Sequence, residues 1–237
     1  VHSLILSLFV SGSAFAFVDV RAVNSDIFVE TAYAGSWNFI GKRIDGYNEN
    51  KCYLTAKAAK ALSEVQKDVA KLGYGLLVFD CYRPQGAVNQ FVKWTKDLAD
   101  TRMQAQFYPE LAKTELLGRY IGERSGHSRG GTVDLTLVKR GQFKSKVYNL
   151  RKTEIRDCRV SAAVQSFGLV DMGTTFDCFN ELAHTANPDI PAEIRRNRKI
   201  LKSAMERRGF KNYSKEWWHY TLNTDPQAND YFDFEIQ

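Results

Sequence analysis

Apolar positions along this chain fall into runs whose period switches between helical and extended. From Ala56 to Leu72, the residues Leu62, Val65, Val69 and Leu72 repeat at the spacing of one helix face, and Gly73 supplies a stop. Leu76-Leu77-Val78-Phe79 is a short unbroken apolar run, as in a buried strand, and it leads into Asp80-Cys81-Tyr82-Arg83-Pro84. Pro84 suits the first turn of a second helix, where its missing N–H costs nothing. Ala87, Val88, Phe91 and Trp94 give that helix an apolar side. Gly126 to Gly131 holds too much glycine for a helix. Beyond it Val133, Leu135 and Leu137 alternate with Asp134 and Thr136, which predicts a half-buried strand with Asp134 on its polar face. Pro191 opens a third helix carrying Ile194, Leu201 and Met205 and closed by Gly209. The aromatic and β-branched stretch Trp217 to Leu222 predicts another strand. Helices interspersed with strands, and glycine turns between strands, predict an α+β domain with a small, mainly antiparallel sheet flanked by helices.

Composition bounds this picture without changing it. The chain has 237 residues, 44% hydrophobic and 25% charged, which suits one domain with a sizeable core. The formal charge is +6. The densest basic run, Arg195, Arg196, Arg198 and Lys199, falls on the third helix and reads as a solvated face. No nucleic-acid motif accompanies it, so no nucleic-acid partner is expected.

The N-terminus adds a location. Leu4 to Val10 is almost wholly apolar and small residues follow, ending in Ala14-Phe15-Ala16. This has the shape of a secretory h-region with an A-x-A cleavage site, although no basic n-region precedes it. Residues 1–16 are therefore expected to be a signal peptide and 17–237 the mature domain, exported to the periplasm. The run is too short to span a bilayer well, so no stable membrane insertion is expected. Four cysteines, Cys52, Cys81, Cys158 and Cys178, include no C-x-x-C pair. In an oxidising compartment they suggest two disulfides, and chain proximity favours Cys52–Cys81 and Cys158–Cys178 among the three pairings. Four buried thiols are the alternative.

Two segments carry candidate chemistry: Ser125-Gly126-His127-Ser128-Arg129-Gly130-Gly131-Thr132-Val133-Asp134 and Glu216-Trp217-Trp218-His219-Tyr220. A turn at Gly130-Gly131 could bring His127 back towards Asp134. Taken singly, either segment is as well explained by a surface hydrogen bond or a core histidine. Together they offer His, Asp, His and a spare Glu, the pattern of a catalytic zinc site with three protein ligands and an open position. The spare carboxylate would serve as general base. Of the other two histidines, His2 lies in the leader and His184 has no metal motif around it.

These segments resemble the zinc D,D-peptidases, and specifically the D-alanyl-D-alanine dipeptidases of the VanX type. Ser125 to Asp134 fits S-x-H-x-x-G-x-A-x-D, with Thr132 where alanine is usual, and Glu216 to His219 fits E-x-W-H. Tyr82-Arg83-Pro84 after a buried strand fits too. Weaker likeness runs through Tyr33-Ala34, Asn38-Phe39-Ile40-Gly41, Asp171-Met172-Gly173-Thr174, Phe176-Asp177 and Tyr231-Phe232-Asp233-Phe234. The resemblance implies one zinc ion on the sheet, held by His127, Asp134 and His219. It implies Glu216 as general base and then general acid, Arg83 as oxyanion stabiliser, and D-Ala-D-Ala as a small dipeptide substrate in cell-wall peptide turnover. An acid must receive the substrate ammonium: Asp171 or Asp177, the former equally able to cap a turn before Gly173. Ser125 is a donor for the carboxylate, and Tyr33 a pocket wall. Competing readings are a D,D- or L,D-carboxypeptidase of the same zinc family and a zinc-holding wall-binding domain without turnover; retention of Glu216 and Arg83 disfavours the latter. Oligomeric state is not legible.

Overall fold

The computed structural model describes residues 16–160, 167–223 and 230–237. The expected signal segment, apart from Ala16, lies outside them. Strands β1 (Phe17–Asp19) and β3 (Tyr53–Thr55) form a two-stranded antiparallel ribbon. A five-stranded sheet is built from β2 (Phe28–Val29), β4 (Tyr74–Asp80), β5 (Thr132–Lys139), β6 (Phe210–Asn212) and β7 (His219–Leu222), in the order β2-β4-β5-β7-β6. Only the β2–β4 pair is parallel. The helices are α1 (Val20–Val23), α2 (Ala56–Ala70), α3 (Gln85–Lys96), α4 (Gln104–Phe107), α5 (Ser145–Arg151) and α6 (Ala192–Arg207). The α+β class is as the sequence predicts, and the sheet is wider than expected. Its extra strands, β2 and β6, are edge strands of two and three residues, too short to show a period.

Local chemistry explains the elements that hold the site. Thr55 caps α2 by accepting from the Ala58 N–H. The apolar face of α2, Ala58, Leu62, Val65 and Val69, is buried against β4 and α6. Leu72 falls beyond the helix end and is 57% exposed, so the predicted apolar face overshoots. Pro84 immediately precedes α3, whose Ala87, Val88, Phe91 and Trp94 are buried as predicted. Pro191 stands in the same position before α6.

β5 departs from the half-buried strand expected of it. Every residue from Thr132 to Val138 is buried. Its polar face does not meet water, because loop residues cover it: Phe176 stacks on Phe79 of β4 with ring centroids 4.8 Å apart. β7 is also shorter than predicted. Trp217 and Trp218 belong to the turn before it, although the Trp218 carbonyl still accepts from the Leu135 N–H at 3.1 Å.

The basic run on α6 is corrected at one position. Arg195, Arg196 and Lys199 are exposed, but Arg198 is 1% exposed. Its guanidinium donates to the carbonyls of Met172 at 2.8 Å, Leu182 at 2.8 Å and His184 at 2.7 Å. Burial lowers its pKa to about 10, so it remains charged at neutral pH. It anchors the irregular segment that carries Asp177, which is further secured by the Cys158–Cys178 disulfide. Cys52–Cys81 is the second bridge, so both expected pairings are present.

Candidate functional site

Four backbone features converge at one end of the sheet. β5 and β7 pair antiparallel with Asp134 opposite His219. β4 ends beside them, with Asp80 in register with Asp134 after a bulge. The fourth is a 3-10 turn at Gly126–Arg129 that presents His127. The Ser125 side chain caps this turn by accepting from the His127 N–H at 3.3 Å. The turn closes on Gly130 in the left-handed region, with φ +78°, where a Cβ would lie 2.2 Å from the Phe17 ring. Backbone conformation and space thus both require glycine there. The His127 carbonyl accepts from the N–H groups of Gly130 and Arg83, at 3.0 and 3.4 Å, tying the turn to the end of β4.

His127 Nδ1 lies 2.6 Å from the Cys81 carbonyl oxygen. A carbonyl can only accept, so Nδ1 carries the proton and Nε2 offers its lone pair inward. Nε2 lies 3.2 Å from Asp134 Oδ2 and 3.3 Å from His219 Nδ1. His219 Nδ1 lies 3.0 Å from Asp134 Oδ1 and 3.4 Å from Glu216 Oε2. Among the described residues, His127, Asp134 and His219 form the one group of three ligating side chains whose donor atoms all lie within 4.8 Å of one another. Glu216 reaches this cluster because its turn is tight: its carbonyl accepts from the His219 N–H at 3.3 Å.

The donor set fits a cation. Asp80, Asp134 and Asp177 are buried, and the Glu216 side chain is 12% exposed. Four carboxylates thus face one guanidinium. Asp134 Oδ1 is buried without a well-aligned hydrogen bond, despite the nearby imidazole. A cation held by His127, Asp134 and His219 would give Asp134 Oδ1 a partner, and a mixed imidazole–carboxylate set suits zinc. Burial alone would raise the Asp134 carboxyl, but the two imidazoles hold it well below the usual carboxylate range. Burial pushes Glu216 up to about 7, with His219 offsetting part of the rise. His219 is raised overall: burial lowers it, and the Asp134 charge more than compensates.

Arg83 donates to Asp80 Oδ2 through Nε at 2.9 Å, with Nη2 at 2.8 Å from the same oxygen. Its guanidinium carbon lies 5.1 Å from the ring centroids of both Tyr33 and Phe91, and Nη2 lies 3.8 Å from Asp134. Asp80 also accepts from the Tyr47 hydroxyl at 2.7 Å. Sequence alone marks Asp80 only as the end of an apolar strand. Its signal was an acid closing a wholly apolar strand three residues before the arginine.

Of the substrate-binding candidates, Ser125, Tyr33 and Asp177 line the same pocket as Arg83, Glu216 and the two histidines. Tyr33 donates to Asp177 Oδ2 at 2.8 Å. Asp177 has φ +58°, and burial together with the Asp134 charge raises its carboxyl well above the usual range. Asp171 is not a lining residue of that pocket. Its carboxylate accepts from the Gly173 N–H at 2.8 Å, the turn-capping role. His184 stands outside the metal-ligating group. Thr132 bonds Thr221 across the sheet at 2.9 Å, two register pairs beyond Asp134 and His219, and leaves the candidate ligands in place.

Comparison with known proteins shows the family. The peptidase M15 family, described as D-ala-D-ala dipeptidase, matches residues 13–145 and 158–237. A D-alanyl-D-alanine dipeptidase of Streptomyces coelicolor is 39% identical over 223 residues, covering 94% of this chain and 98% of the relative. One of Enterococcus faecium is 37% identical, covering 88% and 92%. One of Escherichia coli is 31% identical, covering 90% and 86%.

Proposed function

This chain belongs to the peptidase M15 family of D-ala-D-ala dipeptidases, and from that premise we propose that it hydrolyses D-alanyl-D-alanine to D-alanine with one zinc ion on His127, Asp134 and His219. The observation that carries the metal assignment is the convergence of those three donor atoms, with Glu216 beside them.

Zinc in such a site supplies Lewis-acid polarisation of water and of the scissile carbonyl. The rest is the work of the chain itself. Glu216, poised near neutrality, takes the proton from the attacking water and delivers it to the leaving amine. Arg83, fixed by Asp80 and flanked by two rings, offers a permanently charged donor to the oxygen on which negative charge develops. Asp177 receives the substrate ammonium, with Tyr33 fixing its carboxylate. Ser125 is a donor for the substrate carboxylate. The His127 Nδ1 proton, held on the Cys81 carbonyl, keeps Nε2 free for the metal.

Residues 1–16 are proposed as a signal peptide and the periplasm as the place of action, where the substrate would come from wall peptide turnover. No helix among the described residues is long and apolar enough to cross a membrane. The test of the reading is zinc content measured alongside hydrolysis of free D-Ala-D-Ala. An N-acylated substrate, which lacks the free amine, should be refused.

A further inference from the structure

The chain's positive charge is concentrated in the segment that leaves β5 at the end of the sheet away from the site. Of 33 Lys and Arg and 27 Asp and Glu, residues 139–156 hold seven of the former and one of the latter, so the remainder balances at 26 of each. Lys139, Arg140, Lys144, Lys146, Arg151 and Arg156 of this stretch are exposed. Its one acid, Glu154, is paired to Arg151 at 2.8 Å. An excess equal to the whole formal charge of +6 thus sits on one short surface segment.

The segment also carries apolar side chains into water. Leu150 of α5 is 79% exposed, more than any other large hydrophobic among the described residues. No residue of α5 is fully buried. Leu72, 57% exposed, is chain neighbour to Gly73, whose carbonyl accepts from the Arg140 N–H at 3.0 Å. Phe28, 39% exposed, packs edge-on against Phe143 with centroids 4.9 Å apart. Residues 146–157, which include all of α5 but its first residue, are the internal segment that the family match leaves out.

We propose that this basic, leucine-bearing end of the molecule docks on an anionic phospholipid bilayer. Exposed lysines and arginines attract acidic headgroups, and a leucine among them gains by entering the headgroup–acyl boundary. Leu150 separates a bilayer from a soluble polyanion, which offers nothing apolar. The orientation is productive. Asp134 and Lys139 stand five residues apart on β5, about 17 Å along the strand, so docking through the start of this segment leaves the mouth of the site free for a diffusing substrate. The inference does not depend on the identity of the substrate.

The test is flotation of the purified full chain with vesicles of phosphatidylcholine alone and of phosphatidylcholine with about one-third phosphatidylglycerol. Binding is expected to the anionic vesicles only, and to weaken as salt is raised. Each cation contributes about fivefold, so Lys144→Glu with Lys146→Glu should weaken binding at least tenfold. Leu150→Ser should weaken it severalfold by itself. Hydrolysis in solution should be unchanged in all variants, which also reports that they fold. No binding to anionic vesicles, or binding indifferent to the charge reversals, overturns the proposal. So does a partition that Leu150→Ser leaves untouched while polyphosphate competes it away, because that is the behaviour of a soluble-polyanion site.

Discussion

Asp134 and His219 face each other as register partners on adjacent antiparallel strands, with His219 Nδ1 3.0 Å from Asp134 Oδ1. The pairing makes two candidate ligands of one cross-strand contact, so the hydrogen-bonded sheet itself sets their separation. Only His127 must be brought in from outside the sheet, by a capped turn with an obligatory glycine. A site on paired strands is stiffer than one assembled from loops.

Glu216→Gln should retain zinc and lose about 10² to 10⁴-fold in kcat, the usual loss for a missing general base. Because the carboxylate must be ionised to act, wild-type kcat/KM should fall on the acid side of a pKa at or below about 7, a bound cation pulling it down. The residual activity of the variant should lack that limb. Steady-state kinetics across pH, with metal analysis, checks both.

The same carboxylate should cost stability when the metal is removed. Burial holds its folded pKa at about 7 against an ordinary 4.5. A raised folded pKa means no penalty below the unfolded value, a penalty growing between the two, and the full penalty above both. Glu216→Gln removes the charge, so the metal-free variant should exceed the metal-free wild type by about 3 kcal/mol at pH 8. The difference should vanish near pH 4. Urea melts of chelated protein at the two pH values measure it.

Arg83→Lys should fold and bind zinc yet lose about 3 kcal/mol of transition-state stabilisation, the worth of one oxyanion donor. Lysine keeps the charge but cannot hold Asp80 and an oxyanion with one planar fork. The loss should fall on kcat more than on KM. A rise in KM at constant kcat would instead assign Arg83 to the ground-state carboxylate. A lowered Tm with intact kinetics would make it a structural ion pair.

Much of this site was legible before the fold was known. His127, Asp134, Glu216 and His219 stood out because metal chemistry demands those residue types, and Arg83 because a Y-R-P motif followed a buried strand. Tyr47 was not legible, since its role exists only once β4 and the Tyr47 loop meet, and Asp80 carried only the mark of an acid closing an apolar run before Arg83. Asp171 and Asp177 could not be separated in sequence, and the fold puts only the second in the pocket. Arg198 was misread because its helix position looks solvated, whereas its partners are backbone carbonyls of a distant loop, which leave no mark in sequence. The polar face of β5 was misread likewise: alternation reports two faces but not what covers each.

Arg198→Ala should therefore lower stability by about 3 kcal/mol, because three buried carbonyls lose charged donors. Arg195→Ala on the exposed side of α6 should stay within about 1 kcal/mol of wild type. Denaturant melts of the two variants compare them directly. Since the anchored segment carries Asp177, Arg198→Ala should also raise KM in the folded fraction.

A catalytic zinc ion held jointly by His127, Asp134 and His219 is a measurable proposal. Its most direct measurement is the zinc content of the purified wild type and of His127→Ala, Asp134→Ala and His219→Ala, with D-Ala-D-Ala hydrolysis assayed on the same samples. One zinc per wild-type chain is expected, with activity lost on chelation and restored by zinc, and with metal and activity lost together in each variant. Stoichiometric zinc retained in all three variants, or hydrolysis that survives complete chelation, would contradict it.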